Sequence, residues 1–113
     1  MRRQESTENT NAEQNNEIVV SVDASIKDLI PDFLTRKRRA VSQWNHLLEQ
    51  GDYGALVNLG HDLSGTSGAY GFMGISKIGD SLQLAAGKKD HEEARRLMEE
   101  YSSYLSRLRV VYS

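Results

Sequence analysis

Cysteine is absent from this 113-residue chain, so a disulfide scaffold, a thiolate metal site and a cysteine nucleophile are all excluded. The redox compartment stays undecided, and stability must come from packing alone. There is no basic excess either. Lys and Arg total 14 against 16 Asp and Glu, giving a formal charge of -2 and a pI near 5.9, which argues against a protein that works mainly by neutralising a phosphate backbone. Nucleic acid is therefore not an expected partner. No apolar run is longer than a few positions, so neither a membrane span nor a secretory h-region can be read, and a soluble, cytoplasmic protein without a membrane partner is expected. Proline occurs once, at Pro31, and the length fits a single domain with no room for a second core.

What is present divides the chain in two. Residues 1–17 hold only Met1 and Ala12 as apolar side chains, too little burial to offset the entropy of ordering the backbone, and read as a disordered leader. Residues 18–113 form the expected folded domain. Its first segment, Ile18-Val19-Val20-Ser21-Val22, is β-branched but has no strand-like run nearby to pair with, so an extended arm lying on the domain is expected.

From Ile26 the apolar period becomes helical, through Leu29, Ile30, Phe33, Leu34, Val41, Trp44, Leu47 and Leu48. Pro31 splits this stretch into a short helix near 24–30 and a long one that starts at the proline and ends at Gly51, after which Asp52 caps the next. A further helix near 75–86 is carried by Ile75, Ile78, Leu82 and Ala86. The last opens on the capping box Asp90 to Glu93 and runs its apolar stripe through Ala94, Leu97, Met98, Tyr101, Leu105, Leu108 and Tyr112. The expected fold is all-α, an up-and-down bundle of four main helices with a short extra N-terminal helix.

Residues 52–71 hold five glycines, at 54, 60, 65, 68 and 71, and by propensity alone make a poor helix. Advancing roughly 100° per residue, however, Leu56, Leu59, Leu63, Ser67 and Tyr70 share one sector, and His61 points away from it. Asn58, Ser64, Gly65 and Gly68 surround His61 on that outer face. A glycine within a helix costs up to about 1 kcal/mol relative to alanine, so Gly65 and Gly68 invite a functional explanation, namely that they clear a landing area for a partner beside the imidazole. The alternative is that they permit close helix packing and that His61 is an ordinary surface histidine. Gly60 to Ser67 also has the glycine spacing of a phosphate-cradling loop, but Thr66 stands where such a loop requires lysine.

The run His61-Asp62-Leu63-Ser64-Gly65-Thr66-Ser67-Gly68-Ala69-Tyr70-Gly71-Phe72 resembles the histidine-containing phosphotransfer (HPt) domain family. His61, Leu63, Gly65, Gly68, Gly71 and Phe72 match the family pattern, and the resemblance extends over roughly residues 23–110. It implies a phosphorelay carrier in two-component signal transduction, with His61 the phosphoacceptor and Gln83 the residue that orients the imidazole through Nδ1. Asn58, Ser64, Gly65 and Gly68 would form the docking face. The implied partners are response-regulator receiver domains and a hybrid sensor kinase. No cofactor or metal of its own is implied, since the divalent cation and acidic pocket belong to the receiver, nor any autonomous kinase activity.

The chain departs from the family at Ser64, where most members carry lysine. Positive charge would then have to come from Lys77, Lys88 or the partner. That departure also motivates a second expectation, a non-phosphorylated helical module that binds a receiver or sensor kinase. His46 and His91 have no partner at metal-ligand spacing and read as structural. Arg36-Lys37-Arg38-Arg39 reads by default as a solvated helical face, the alternative being a surface that docks an acidic receiver rim or an anionic surface. Nothing compels oligomerisation, so a monomer is the default.

Overall fold

The computed structural model describes residues 8–11 and 16–113. The chain is mostly helical, with four α-helices and a small sheet: α1 (Ile30–Gln50), α2 (Tyr53–Ala69), α3 (Met73–Gly87) and α4 (His91–Arg107), with strands β1 (Glu8–Asn11), β2 (Glu17–Val22) and β3 (Leu108–Tyr112). A 3-10 helix at Ala24–Leu29 links β2 to α1.

Helix boundaries follow local chemistry. Pro31 lies in the first turn of α1, where its missing N–H would have had no intrahelical partner in any case. Gly51 ends α1 at φ 67°, a left-handed position that a Cβ would strain, and its N–H returns to the Leu47 and Leu48 carbonyls. Asp52 Oδ1 accepts from Ala55 N–H at 3.1 Å to open α2, and Asp90 Oδ1 accepts from Glu93 N–H at 3.1 Å to open α4. Beside that cap the Glu93 carboxyl is held below its usual range by the hydrogen bond from Arg96.

The helices pack in a closed ring, α1 against α2 and α4, and α3 against α2 and α4. Phe33, Trp44, Leu56, Leu63, Phe72, Ile75, Leu82 and Tyr101 are fully buried between them. The α2–α3 turn is held under α1 by rings: Phe33 meets Tyr70 edge-on at 4.9 Å and stacks on Phe72 at 5.1 Å. Two polar side chains in the core are partnered across helices, Trp44 Nε1–H donating to Ala94 O at 3.1 Å and Tyr101 O–H to Lys37 O at 2.6 Å, whereas the buried Ser67 hydroxyl has no partner among the described residues.

The sheet departs from three expectations. Ile18 to Val22 is no lone arm: β2 pairs in parallel with β3, Ile18 opposite Leu108 through Val22 opposite Tyr112, and antiparallel with β1. Within the expected disordered leader, Glu8–Asn11 is therefore a paired strand, while residues 1–7 and 12–15 lie outside the described residues. Leu108 and Tyr112 do not continue the α4 stripe, because the chain turns extended at Leu108 (φ −74°, ψ 132°) and the β-branched Val110 and Val111 enter the ladder with β2. Ile18, Val20 and Val22 alternate as buried positions and cover the end of the helical core. Among the described residues no helix is long and apolar enough to cross a membrane.

Candidate functional site

α2 is continuous from Tyr53 to Ala69, so the glycine-rich run is helical and no phosphate-cradling loop exists at Gly60 to Ser67. Leu56, Leu59, Leu63 and Ser67 are buried, and His61 is exposed on the opposite side, as the wheel requires. Asn58 and Gly65, one turn to either side of His61, are exposed as well. A Cβ added at Gly65 would meet nothing within 4 Å, so bare backbone stands next to the imidazole.

Gly68 behaves differently. It is half-buried, and a Cβ there would approach Ser76 Oγ at 3.3 Å, so its bareness lets α3 come close rather than clearing the outer face. The tightest approach lies at two glycines the sequence reading did not connect. A Cβ on Gly60 would stand 2.7 Å from Gly79 O, and one on Gly79 would stand 2.6 Å from Gly60 O and 2.7 Å from Ser64 N. Facing glycines thus bring the two backbones together, and the same crossing sets Gln83 beside Gly60, whose added Cβ would meet Gln83 Cγ at 2.9 Å. Gln83 is half-buried in that seam, one α2 residue away from His61.

Two carboxylates tie α2 to its neighbours. On the α3 side the Ser64 hydroxyl donates to Asp80 Oδ1 at 2.6 Å, while Ser76 Oγ donates to Ser64 O at 3.0 Å. Ser64 is thereby tied to α3. On the α1 side Asp62, next to His61 in the chain, forms an ion pair with Lys37 Nζ at 3.5 Å. Lys37 is only 5% exposed, and its ammonium also lies 5.2 Å from the centre of the Phe33 ring. Burial, reinforced by the nearby Asp62 charge, pushes the Tyr101 phenol well above its usual range.

Lys37 is the residue that reading the sequence missed, and it corrects the view of residues 36–39 as one solvated face. Arg36, Arg38 and Arg39 are exposed, Arg36 pairing with Asp32, whereas Lys37 turns inward. The signal was available in its spacing: Phe33, Lys37, Ala40 and Trp44 step by four, three and four along the buried stripe of α1. Lys77 and Lys88, the expected charge donors, instead line depressions of about 430 and 200 Å³ that also include α4 residues Arg96 and Glu93 respectively. His91 Nδ1 shares a 3.1 Å hydrogen bond with the Tyr53 hydroxyl and joins the starts of α2 and α4, in keeping with a structural role. His46 is exposed on α1. Among the described residues no three His, Asp or Glu side chains cluster as a metal site would require.

No family model, no curated protein and no solved structure matches this chain.

Proposed function

We propose that the chain is an HPt-type phosphorelay carrier of the cytoplasm, its four helices running up and down, with His61 receiving a phosphoryl group from the aspartyl phosphate of one receiver domain and passing it to the aspartate of another. The observation that carries this reading is the exposed His61 at the middle of α2, with bare Gly65 one turn away and Gln83 wedged into the adjoining seam. The Nε2 lone pair forms the new N–P bond while the P–O bond to the receiver's aspartate breaks and leaves a carboxylate. Nδ1 keeps its proton throughout, and the Gln83 carbonyl oxygen, turned toward it from the seam, would accept a hydrogen bond from that N–H and hold the ring in the tautomer that leaves Nε2 free. Onward transfer reverses these bond changes on a second receiver. The divalent cation belongs to the receiver's acidic pocket, and the chain performs no kinase reaction of its own, so ATP alone leaves it unlabelled.

The experiment is incubation with a radiolabelled phospho-receiver. The wild type takes up acid-labile label and a His61→Gln variant does not; equal labelling of the two rejects the proposal. One observation favours a second reading, a module that binds a receiver or sensor kinase without carrying phosphate. Ser64 is hydrogen-bonded to Asp80 where the family usually offers a lysine, and Asp62 adds a second negative charge nearby. On that reading His61→Ala leaves binding intact and acid-labile phosphate never appears on the wild type.

A further inference from the structure

β3 forms one side of the sheet, and among the described residues its outer edge carries main-chain groups without partners. Ser113 N–H donates to Val22 O at 3.1 Å, and Ser113 O accepts from Ala24 N–H at 2.9 Å, so residue 113 turns both backbone groups toward the β2 side. By the alternation of a parallel ladder, Val111 and Arg109 do the same. The N–H and C=O groups of Val110 and Tyr112 therefore point outward. The Leu108 carbonyl does so too, while its N–H already returns to Leu105 O. Among the described residues β2 is the one element packed closely on β3.

The side chains at this edge are apolar. Leu108, Val110 and Tyr112 stand opposite Ile18, Val20 and Val22 and share their face of the sheet. They extend a buried stripe, yet Leu108 and Val110 are only half-buried and Tyr112 is 37% exposed. The strand itself carries no inward-pointing charge and no proline, and a charge reaches it only at one end, where the Lys27 ammonium lies 5.6 Å from the centre of the Tyr112 ring. Arg109, the strand's single charge, lies on the opposite face and 3.6 Å from Glu17.

We propose that this edge pairs with the same edge of a second copy, as an antiparallel ladder of two β3 strands centred on Val110. Two-fold pairing must oppose outward-facing residues, and the register centred on Val110 is the one that uses all three. Val110 then exchanges both N–H···O=C bonds with the partner's Val110. Tyr112 N–H reaches the carbonyl of the partner's Leu108, and the reciprocal bond completes four. Side by side on one face, Val110 meets the partner's Val110 and Leu108 meets the partner's Tyr112, apolar against apolar. On the other face Arg109 stands opposite the partner's Val111, so no like charges oppose each other. This self-complementarity selects a second copy over a foreign strand. Two five-residue edges bury much less than the roughly 1,200 Å² total of a stable interface, so the dimer is weak and concentration-dependent. It departs from the monomer expected from the sequence, and it does not depend on the role of His61.

Sedimentation velocity over a concentration series tests it on wild type and on Val110→Pro. The substitution removes an outward N–H that no bond among the described residues uses, at a place where an edge strand tolerates proline. The wild type should self-associate as concentration rises. In Val110→Pro the dissociation constant should rise about tenfold or more, because both bonds at the axis vanish together, with the melting temperature unchanged at low concentration. Val110→Cys, which places the chain's sole cysteine on the axis, should give a disulfide-linked dimer on oxidation, since a hydrogen-bonded antiparallel pair spaces its Cα atoms at about 5.5 Å. A wild type that stays monomeric at the highest concentration overturns the proposal, including where a foreign strand takes the edge instead. An unchanged dissociation constant in Val110→Pro overturns it as well. Should that variant fail to fold, Val110→Cys decides: without a linked dimer the proposal fails.

Discussion

The close approach of α2 and α3 is what seats Gln83 next to the histidine helix, and substituting its glycines measures how tightly it is built. In Gly60→Ala the new Cβ would lie 2.7 Å from Gly79 O, about 0.7 Å short of the 3.4 Å at which contact becomes ordinary. A backbone carbonyl cannot rotate aside, so the helices must separate or bend. Overpacking of this kind costs typically 1–3 kcal/mol and sometimes more, against a helix-propensity gain of about 1 kcal/mol for replacing glycine. The net expectation for Gly60→Ala, and likewise for Gly79→Ala with its 2.6 Å contact, is a loss of up to about 2 kcal/mol. Gly65→Ala is the internal control. Its Cβ meets nothing within 4 Å, so only the propensity term acts, and the protein gains up to about 1 kcal/mol. Thermal unfolding followed by circular dichroism separates the two, since each kcal/mol moves the midpoint by about 4–8 °C in a domain of this size. Gly60→Ala should also weaken phosphotransfer in the folded protein, because Gln83 Cγ lies in the path of the new methyl at 2.9 Å. If Gly60→Ala melts at or above the wild-type temperature, the helices do not cross at these glycines and the placement of Gln83 is wrong.

The Lys37–Asp62 pair should respond asymmetrically. Asp62→Asn leaves an almost fully buried ammonium without its counter-charge and should destabilise by about 1–3 kcal/mol, whereas Lys37→Met leaves only a largely exposed carboxylate and should change stability by less than about 1 kcal/mol; urea titrations of the two variants check the order. Tyr101 yields a prediction in pH. Its phenol is raised in the folded state, so folding holds that proton more tightly than the unfolded chain does. The resulting stability is complete below the unfolded value of about 10 and declines above it, by up to about 1.4 kcal/mol per pH unit. Tyr101→Phe should therefore flatten the alkaline limb of a stability–pH profile, and a profile equally steep in both proteins would contradict the assignment.

Much of this architecture could be read directly from residue order, because the relevant interactions act within a few positions. Asp52, Asp90 and Gly51 end or begin helices through bonds that close over three to five residues, and the stripe Leu56, Leu59, Leu63, Ser67 follows from helical period alone, which is also why the outward stance of His61 was foreseeable. What could not be read involves partners far apart in the chain. The pairing of Ile18 with Leu108 joins segments that each look marginal in isolation, and a strand is defined by its neighbour as much as by its own residues. Gly60 and Gly79 disclose their purpose only when the two backbones meet, while Gly65, chemically the same residue five positions along, meets nothing. Lys37 lies on the buried stripe by spacing, but its partners, Asp62 of a second helix and the hydroxyl of Tyr101 on a third, are named only by the tertiary structure. Composition and period describe which way a side chain leaves its own helix, but they carry no distance to the next one, and it is that distance which separates a packing glycine from an open surface.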